Sequence, residues 1–270
     1  MITVTIPTYN SEKTLRATLE SVKCQTYKDV EIIIVDSYSV DDTIKIAKEY
    51  ADKICKYSGT LLGARGIGIE KAKGDYILLL DSDQILEPTA LDRALVLFKQ
   101  GNDMLWLYER SYHPKKLLEI LYDADRILTQ KYVDDFIKPV GGTILPRLYK
   151  SSLLKRAFRN IPHKILPLCV AHDHAIIYYE VNKLSDKIAM LGNAVFHREP
   201  WSWTNLFKKT YRYGITTRKL LENNAYPELI KSKNKFRKMK KGDIWLSIKS
   251  NILRIARGIP YKLGYYFGGR

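Results

Sequence analysis

A chain of 270 residues, 46% apolar and 27% charged, can bury a large core, which excludes a disordered polymer. Its three cysteines, Cys24, Cys55 and Cys169, are odd in number and lack a C-x-x-C spacing, so they read as buried spectators and not as a disulfide framework or zinc knuckle. The net charge of +16 is uneven, with 28 Lys and Arg against 26 Asp and Glu in residues 1–200 but 17 against 3 in residues 201–270, so a basic partner surface belongs to the last quarter.

Strand and helix signals alternate over roughly the first hundred residues, the pattern of an α/β chain with a mostly parallel sheet flanked by helices and right-handed crossovers. Ile2, Val4 and Ile6 alternate with threonines as a strand, and Asn10 or Ser11 can cap a helix whose Leu15, Leu19 and Val22 share a face. Glu31 to Val35 is a nearly all-apolar strand ending at Asp36. Asp41 and Asp42 open a helix carrying Ile44, Ala47 and Ala51, and a short strand follows near Lys53 to Tyr57. Gly63 to Lys73 reads as a helix, Tyr76 to Leu80 as a strand, and Pro88 to Gln100 as a helix with proline near its start and Gly101 at its end. The glycines of Gly63-Ala-Arg-Gly66-Ile-Gly68 are in the wrong order, and too far from the first strand, for a dinucleotide fingerprint. Beyond Gly101, Met104 to Tyr108 looks like a strand, Leu117 to Tyr132 like a helix, and residues 139–146 like a loop and short strand.

The chemistry belongs at Asp81-Ser82-Asp83, directly after the strand Tyr76 to Leu80. In an extended chain, residues i and i+2 point the same way about 6.6 Å apart, so both carboxylates reach one cation, or one cation and a sugar hydroxyl. Hard cations such as Mg²⁺ or Mn²⁺ favour carboxylate and phosphate oxygens. A bare Asp-x-Asp is more often a polar turn, so the surroundings decide. In open α/β sheets ligands bind beyond the carboxyl ends of the strands, and Pro7 to Asn10, Asp36 and Asp81 to Asp83 all fall there.

These pieces together resemble the family 2 glycosyltransferases, an inverting group with the GT-A nucleotide-diphospho-sugar transferase fold. The likeness runs from Val4-Thr-Ile-Pro-Thr-Tyr-Asn10 through Gln25 to Asp36, Ser39-Val-Asp-Asp-Thr43 and Gly63-Ala-Arg65 to Lys73-Gly-Asp-Tyr-Ile-Leu-Leu-Leu-Asp-Ser-Asp83. It implies that Pro7, Tyr9 and Asp36 hold the base and ribose of a UDP- or GDP-sugar, with Arg65 nearby. Asp81 would touch ribose or metal, and Asp83 would ligate a divalent Mg²⁺ or Mn²⁺. Three departures bear on the base: Ser37 and Tyr38 stand where the family often has aspartate and glycine, and Gly66 stands where asparagine is common.

The second half matches more loosely. His172-Asp173-His174 occupies the place of the family's acidic pair, so the resemblance makes Asp173 the general base; the plain alternative is a helix N-cap flanked by surface histidines. A zinc site from His172, His174 and His197 is conceivable by residue type. His197 resembles a late histidine that some GT-A enzymes add to the metal shell, and a structural role is equally open. Trp201 and Trp203 could stack on a sugar ring or lipid chain, or serve as core aromatics.

Ile244, Trp245, Ile248, Ile252, Ile255, Ala256 and Ile259 lie at helical spacing with basic residues interspersed, preceded by the lysine-rich run 231–241. This basic amphipathic helix reads as a contact with an anionic membrane surface, the other reading being a helix packed on the catalytic domain. No apolar run is long enough to span a bilayer, and the strand at Ile2 follows no basic leader, so the expectation is a cytoplasmic protein, peripheral on the cytoplasmic face of the membrane. Three segments are expected: a nucleotide-sugar-binding half (1–105), an acceptor-binding half (106–200) and the basic helical tail (201–270). The acceptor would be a polyprenyl-linked glycan, a polyprenyl phosphate or a glycolipid, and no nucleic acid is expected, since no aromatic-rich RNA motif appears. The alternative is a catalytically degenerate protein that binds nucleotide or lipid.

Overall fold

A computed structural model describes residues 1–133, 138–140, 145–200, 202–231, 239 and 241–268. Part of the expected loop and strand at 139–146, Trp201 and most of the basic run 231–241 lie outside the described residues.

The first strands and helices fall where the sequence puts them. β1 (Ile2–Thr8), β2 (Val30–Asp36), β3 (Lys53–Lys56) and β4 (Tyr76–Leu79) run parallel in the order β3-β2-β1-β4. They alternate with α1 (Glu12–Lys23), α2 (Thr43–Lys48) and α3 (Leu61–Lys71). Period-two alternation splits the core. Ile2, Val4 and Ile6 pack with Leu15, Leu19 and Ile46 on one face, while Ile33, Val35, Ile77 and Leu79 pack with Leu62 and Ile69 on the other.

Past β4 the sheet becomes mixed. β5 (Gln84–Leu86), α4 (Ala90–Lys99), β6 (Met104–Ser111), α5 (Leu117–Lys131), β7 (Leu148–Lys150), α6 (Ser151–Phe158), α7 (Asp173–Asn182) and β8 (Ile188–His197) follow. The sheet continues from β4 through β7, β6 and β8 to β5, with β7 antiparallel to β4 and β6, β8 parallel to β6, and β5 antiparallel to β8. Strands of three residues carry no measurable alternation, which is why β5 and β7 escaped the sequence reading. Cys169 is buried as expected, but Cys24 is exposed, because it caps α1 on the outer surface.

The glycines of α3 have packing duties. A Cβ built at Gly68 would stand 2.8 Å from Thr5 Cβ, so glycine lets α3 lie close on β1. A Cβ at Gly66 would meet the Phe158 ring at 2.7 Å, so a side chain there would require that ring to move.

The C-terminal segment forms α8 (Trp203–Glu222), α9 (Pro227–Lys231) and α10 (Ile244–Phe267). α8 and α10 meet backbone to backbone at Gly214 and Gly264: a Cβ on Gly214 would stand 2.0 Å from the Tyr261 carbonyl oxygen, and one on Gly264 would stand 2.0 Å from that of Tyr211. Gly214→Ala should therefore force the helices apart and lower stability by about 1–3 kcal/mol, read from the urea midpoint. Unchanged stability would show that the crossing is not tight.

α10 is inverted relative to an ordinary surface helix. Its buried residues are Ser247, Ser250, Leu253, Pro260 and Gly264, mostly small or polar. Ile244, Ile252, Ile255, Ile259, Leu263 and Tyr266 are exposed instead, and at 100° per residue they fall on one arc opposite the buried stripe.

Candidate metal and donor site

Asp81 and Asp83 sit in the turn between β4 and β5, and the pairing of β5 with β8 sets Gln84 opposite His197. That register delivers His197 to Asp83: its Nε2 lies 3.5 Å from Asp83 Oδ1, and the Arg198 N–H donates to the Asp83 carbonyl at 2.8 Å. One ligand atom from each of Asp81, Asp83 and His197 lies within 4.8 Å of the others. Two carboxylates and an imidazole in this array fit a divalent cation. Beyond the site, the His197 Nδ1 faces Glu199 Oε2 at 3.5 Å without an aligned hydrogen bond.

Two guanidinium groups grip Asp81. Arg65 Nη2 donates to its Oδ1 at 2.5 Å and Arg147 Nη1 to its Oδ2 at 2.7 Å. Burial opposes ionisation, yet Arg147 and Arg65 together hold the Asp81 carboxyl well below the usual carboxylate range. Arg65, expected near the nucleotide, is fully buried. Its Nε donates to Asp173 Oδ2, so it bridges Asp81 and Asp173, while its Nη1 has no hydrogen-bond partner among the described residues.

Asp173 is the first residue of α7, but its side chain bonds Arg65 and caps nothing, which removes the N-cap alternative. The histidines around it are buried, not surface groups. His172 Nε2 pairs with Thr217 Oγ1 at 2.9 Å, and His174 Nε2 lies 2.5 Å from Arg147 Nη1. Burial, then Arg147 and Arg65, push the His174 pKa well down, so its ring is neutral and accepts from Arg147. With each histidine engaged separately, the described residues hold no three-histidine zinc site.

Sequence reasoning missed a buried second layer. Arg147 Nε approaches Glu109 Oε1 at 3.4 Å, and Arg126 joins Glu109 to Glu199, its Nε donating to Glu199 Oε1 at 2.7 Å. Alternating charges thus run from Asp173 through Arg65, Asp81, Arg147, Glu109 and Arg126 to Glu199 beside His197. The available clue was Glu109, an acid shortly after the apolar run Met104 to Leu107 in the same strand, which needs a cation nearby if it turns inward.

Of the residues expected to hold the donor, Pro7 and Tyr9 lie at the end of β1 and Asp36 at the end of β2, in register with Thr8. Asp36 is fully buried, its Oδ1 accepting from Thr8 at 2.8 Å and from Ser39 Oγ at 2.5 Å, and its Oδ2 from the Ser39 N–H at 2.9 Å. These bonds fold the loop after β2 so that Tyr38, at φ 58°, stands exposed like Tyr9. A left-handed backbone explains the glycine usual there, and tyrosine accepts strain to place a ring at this edge.

The curled α/β sheet with this acidic edge is the GT-A fold. Solved structures agree: TarS of S. aureus superposes with a TM-score of 0.57 at 19% identity over 86% of this chain and 68% of that one. A mannosyltransferase, PcManGT from Pyrobaculum calidifontis, in complex with GDP-Man and Mn²⁺, gives a TM-score of 0.57 at 14% identity over 97% and 72% of the two chains. The family model described as Glycosyl transferase family 2 matches residues 3–165, and the chain belongs to that family. WfaP of Escherichia coli, a UDP-Glc:alpha-D-GlcNAc-diphosphoundecaprenol beta-1,3-glucosyltransferase, is 36% identical over 120 residues, 43% of this chain and 47% of WfaP. The chain spans about a third to a half of the length of the curated relatives it matches first.

Proposed function

We propose that the protein is an inverting glycosyltransferase that moves a sugar from a UDP- or GDP-sugar to a hydroxyl of a lipid-linked or glycan acceptor. The observation that carries this reading is the gathering of Asp81, Asp83 and His197 at the carboxyl edge of β4 and β8. Asp83 and His197, with Asp81 behind them, would hold Mg²⁺ or Mn²⁺. When bound, such an ion neutralises the charge that develops on a departing nucleoside diphosphate. Tyr9 and Tyr38 offer exposed rings for the base, with Pro7 and Asp36 at the strand ends beside them. Asp173 takes the proton of the acceptor hydroxyl through Oδ1, the oxygen not bonded to Arg65, as the acceptor oxygen attacks the anomeric carbon and the diphosphate leaves from the opposite face. One displacement inverts the centre.

A membrane surface fits the inverted face of α10. Its outward isoleucines would enter the headgroup boundary, and the +14 excess of residues 201–270 would face anionic lipid, each basic residue adding about 1 kcal/mol before screening. No described helix is long and apolar enough to cross a membrane. Replacing Ile252, Ile255 and Ile259 together by serine should weaken sedimentation with phosphatidylglycerol vesicles by about tenfold or more. Equal sedimentation of the variant would count against lipid contact.

The test of the main reading is metal-dependent turnover across a panel of UDP- and GDP-sugars. Asp83→Ala should reduce Mn²⁺-dependent nucleotide affinity about tenfold or more. If no donor turns over and Asp83→Ala leaves nucleotide affinity unchanged, the protein is not this enzyme.

A further inference from the structure

Lys209 and Arg257 are half-buried cations to which the transfer chemistry assigns no part. Both belong to the C-terminal helices and stand beside one small cluster, where Leu118 and Leu121 of α5, Leu206 of α8 and Leu253 of α10 close on each other with Tyr122 against them. One turn along those helices, at i+3 or i+4, come Lys209, Arg257 and Tyr122 itself. The Arg257 guanidinium lies 5.7 Å from the Tyr122 ring centre. Tyr213, Asp83, Tyr122 and Asp81 are near enough to Lys209 to raise its pKa despite burial.

Lys209, Tyr213 and Thr217 recur every four residues on one face, with Lys209 near Asp83 and Thr217 bonded to His172, the neighbour of Asp173. This face of α8 therefore leads from the neighbourhood of Asp83 to His172, the residue before Asp173.

Neither cation forms an ion pair within 4.0 Å among the described residues. The acids nearest Arg257 are engaged elsewhere: Asp125 accepts from Ser250 at 2.5 Å, and Glu199 accepts from Arg126 at 2.7 Å. Two cations without a direct ion pair, flanked by two phenols, suit phosphate oxygens, which take charge-assisted bonds from lysine and arginine and further bonds from tyrosine hydroxyls. A neutral sugar in the same place would offer neither cation a bonded countercharge.

We propose that Lys209 and Arg257, with Tyr122 and Tyr213, seat a phosphate or diphosphate group carried by the acceptor, between Asp83 and Asp173. The inference rests on the glycosyltransferase reading and narrows its acceptor to a phosphate ester.

The test uses the full chain with Mn²⁺ and UDP or GDP, titrated calorimetrically with geranyl diphosphate, with inorganic pyrophosphate and with geraniol. Geranyl diphosphate and pyrophosphate should bind the nucleotide-loaded protein, and geraniol should bind at least about tenfold more weakly. Lys209→Met and Arg257→Lys should each weaken the two diphosphate probes about tenfold while nucleotide affinity stays within about twofold. Lys209→Met keeps an apolar stem in a half-buried place, so it reports even if an Arg257 variant fails to fold. Unchanged probe binding, or geraniol binding as tightly as geranyl diphosphate, overturns the seat. An equal loss of nucleotide affinity overturns it too, because the cations would then serve the donor diphosphate. If the wild-type chain binds geranyl diphosphate but no nucleotide, the seat stands and the glycosyltransferase reading falls.

Discussion

Replacing Asp173 by asparagine is expected to lower turnover about 100- to 10,000-fold, the range for loss of a positioned general base. Nucleotide affinity should stay within about twofold, because the substitution leaves Arg65 in place between position 173 and Asp81. Asparagine keeps an oxygen that can accept from Arg65 Nε, so the bridge to Asp81 persists while the proton acceptor is lost. Turnover and nucleotide titration on the same preparation separate the outcomes. Turnover within about fivefold of wild type would remove Asp173 from the base role and favour an acceptor that is already ionised. A parallel fall in nucleotide affinity would place Asp173 on the donor side instead.

The first hundred residues of the fold were legible because their cues are local. Ile2, Val4 and Ile6 alternate, Leu15, Leu19 and Val22 recur every turn, and polar residues collect where strands end. Asp81 and Asp83 followed from the same logic. His197 was placed only by register, since the pairing of Gln84 with His197 is a tertiary fact that neither segment announces. Arg147, Arg126 and Glu199 escaped for a related reason: each is an ordinary charged residue until the sheet brings it to a buried partner. Arg65, which its motif sets near the nucleotide, is fully buried and bonded to Asp81 and Asp173, partners that the motif does not name because both are brought to it by the tertiary fold. The C-terminal helix was recognised by its period, yet period alone cannot tell which face is covered. The Gly214 and Gly264 crossing decides that, and it turns the isoleucines outward.

The burial of Arg65 leads to the largest stability effect expected in this molecule. Arg65→Met keeps most of the side-chain volume and removes the charge, leaving Asp173 without its ionic partner and Asp81 with Arg147 alone. Breaking a buried pair on one side costs about 3–5 kcal/mol at neutral pH, because the remaining charge stays uncompensated. The pH dependence distinguishes this cause from lost packing. Asp81 has a folded-state pKa depressed by Arg147 and Arg65, so its contribution is fully present above the unfolded carboxylate value of about 3.9 and is lost only as the pH falls through the lower folded value. The wild type should therefore keep most of this contribution at about pH 4. In Arg65→Met, Asp81 keeps Arg147 alone while burial still opposes its ionisation, so its carboxyl takes up a proton at a higher pH than in the wild type, which relieves part of the penalty as the solution is acidified. The stability gap between the two proteins should accordingly be widest near pH 7 and narrow by about 1–2 kcal/mol towards pH 4, measured by urea unfolding at both values. A gap that stays constant with pH would mean that Arg65 acts through its shape, and a gap below about 1 kcal/mol would mean that the bridge between Asp81 and Asp173 contributes little.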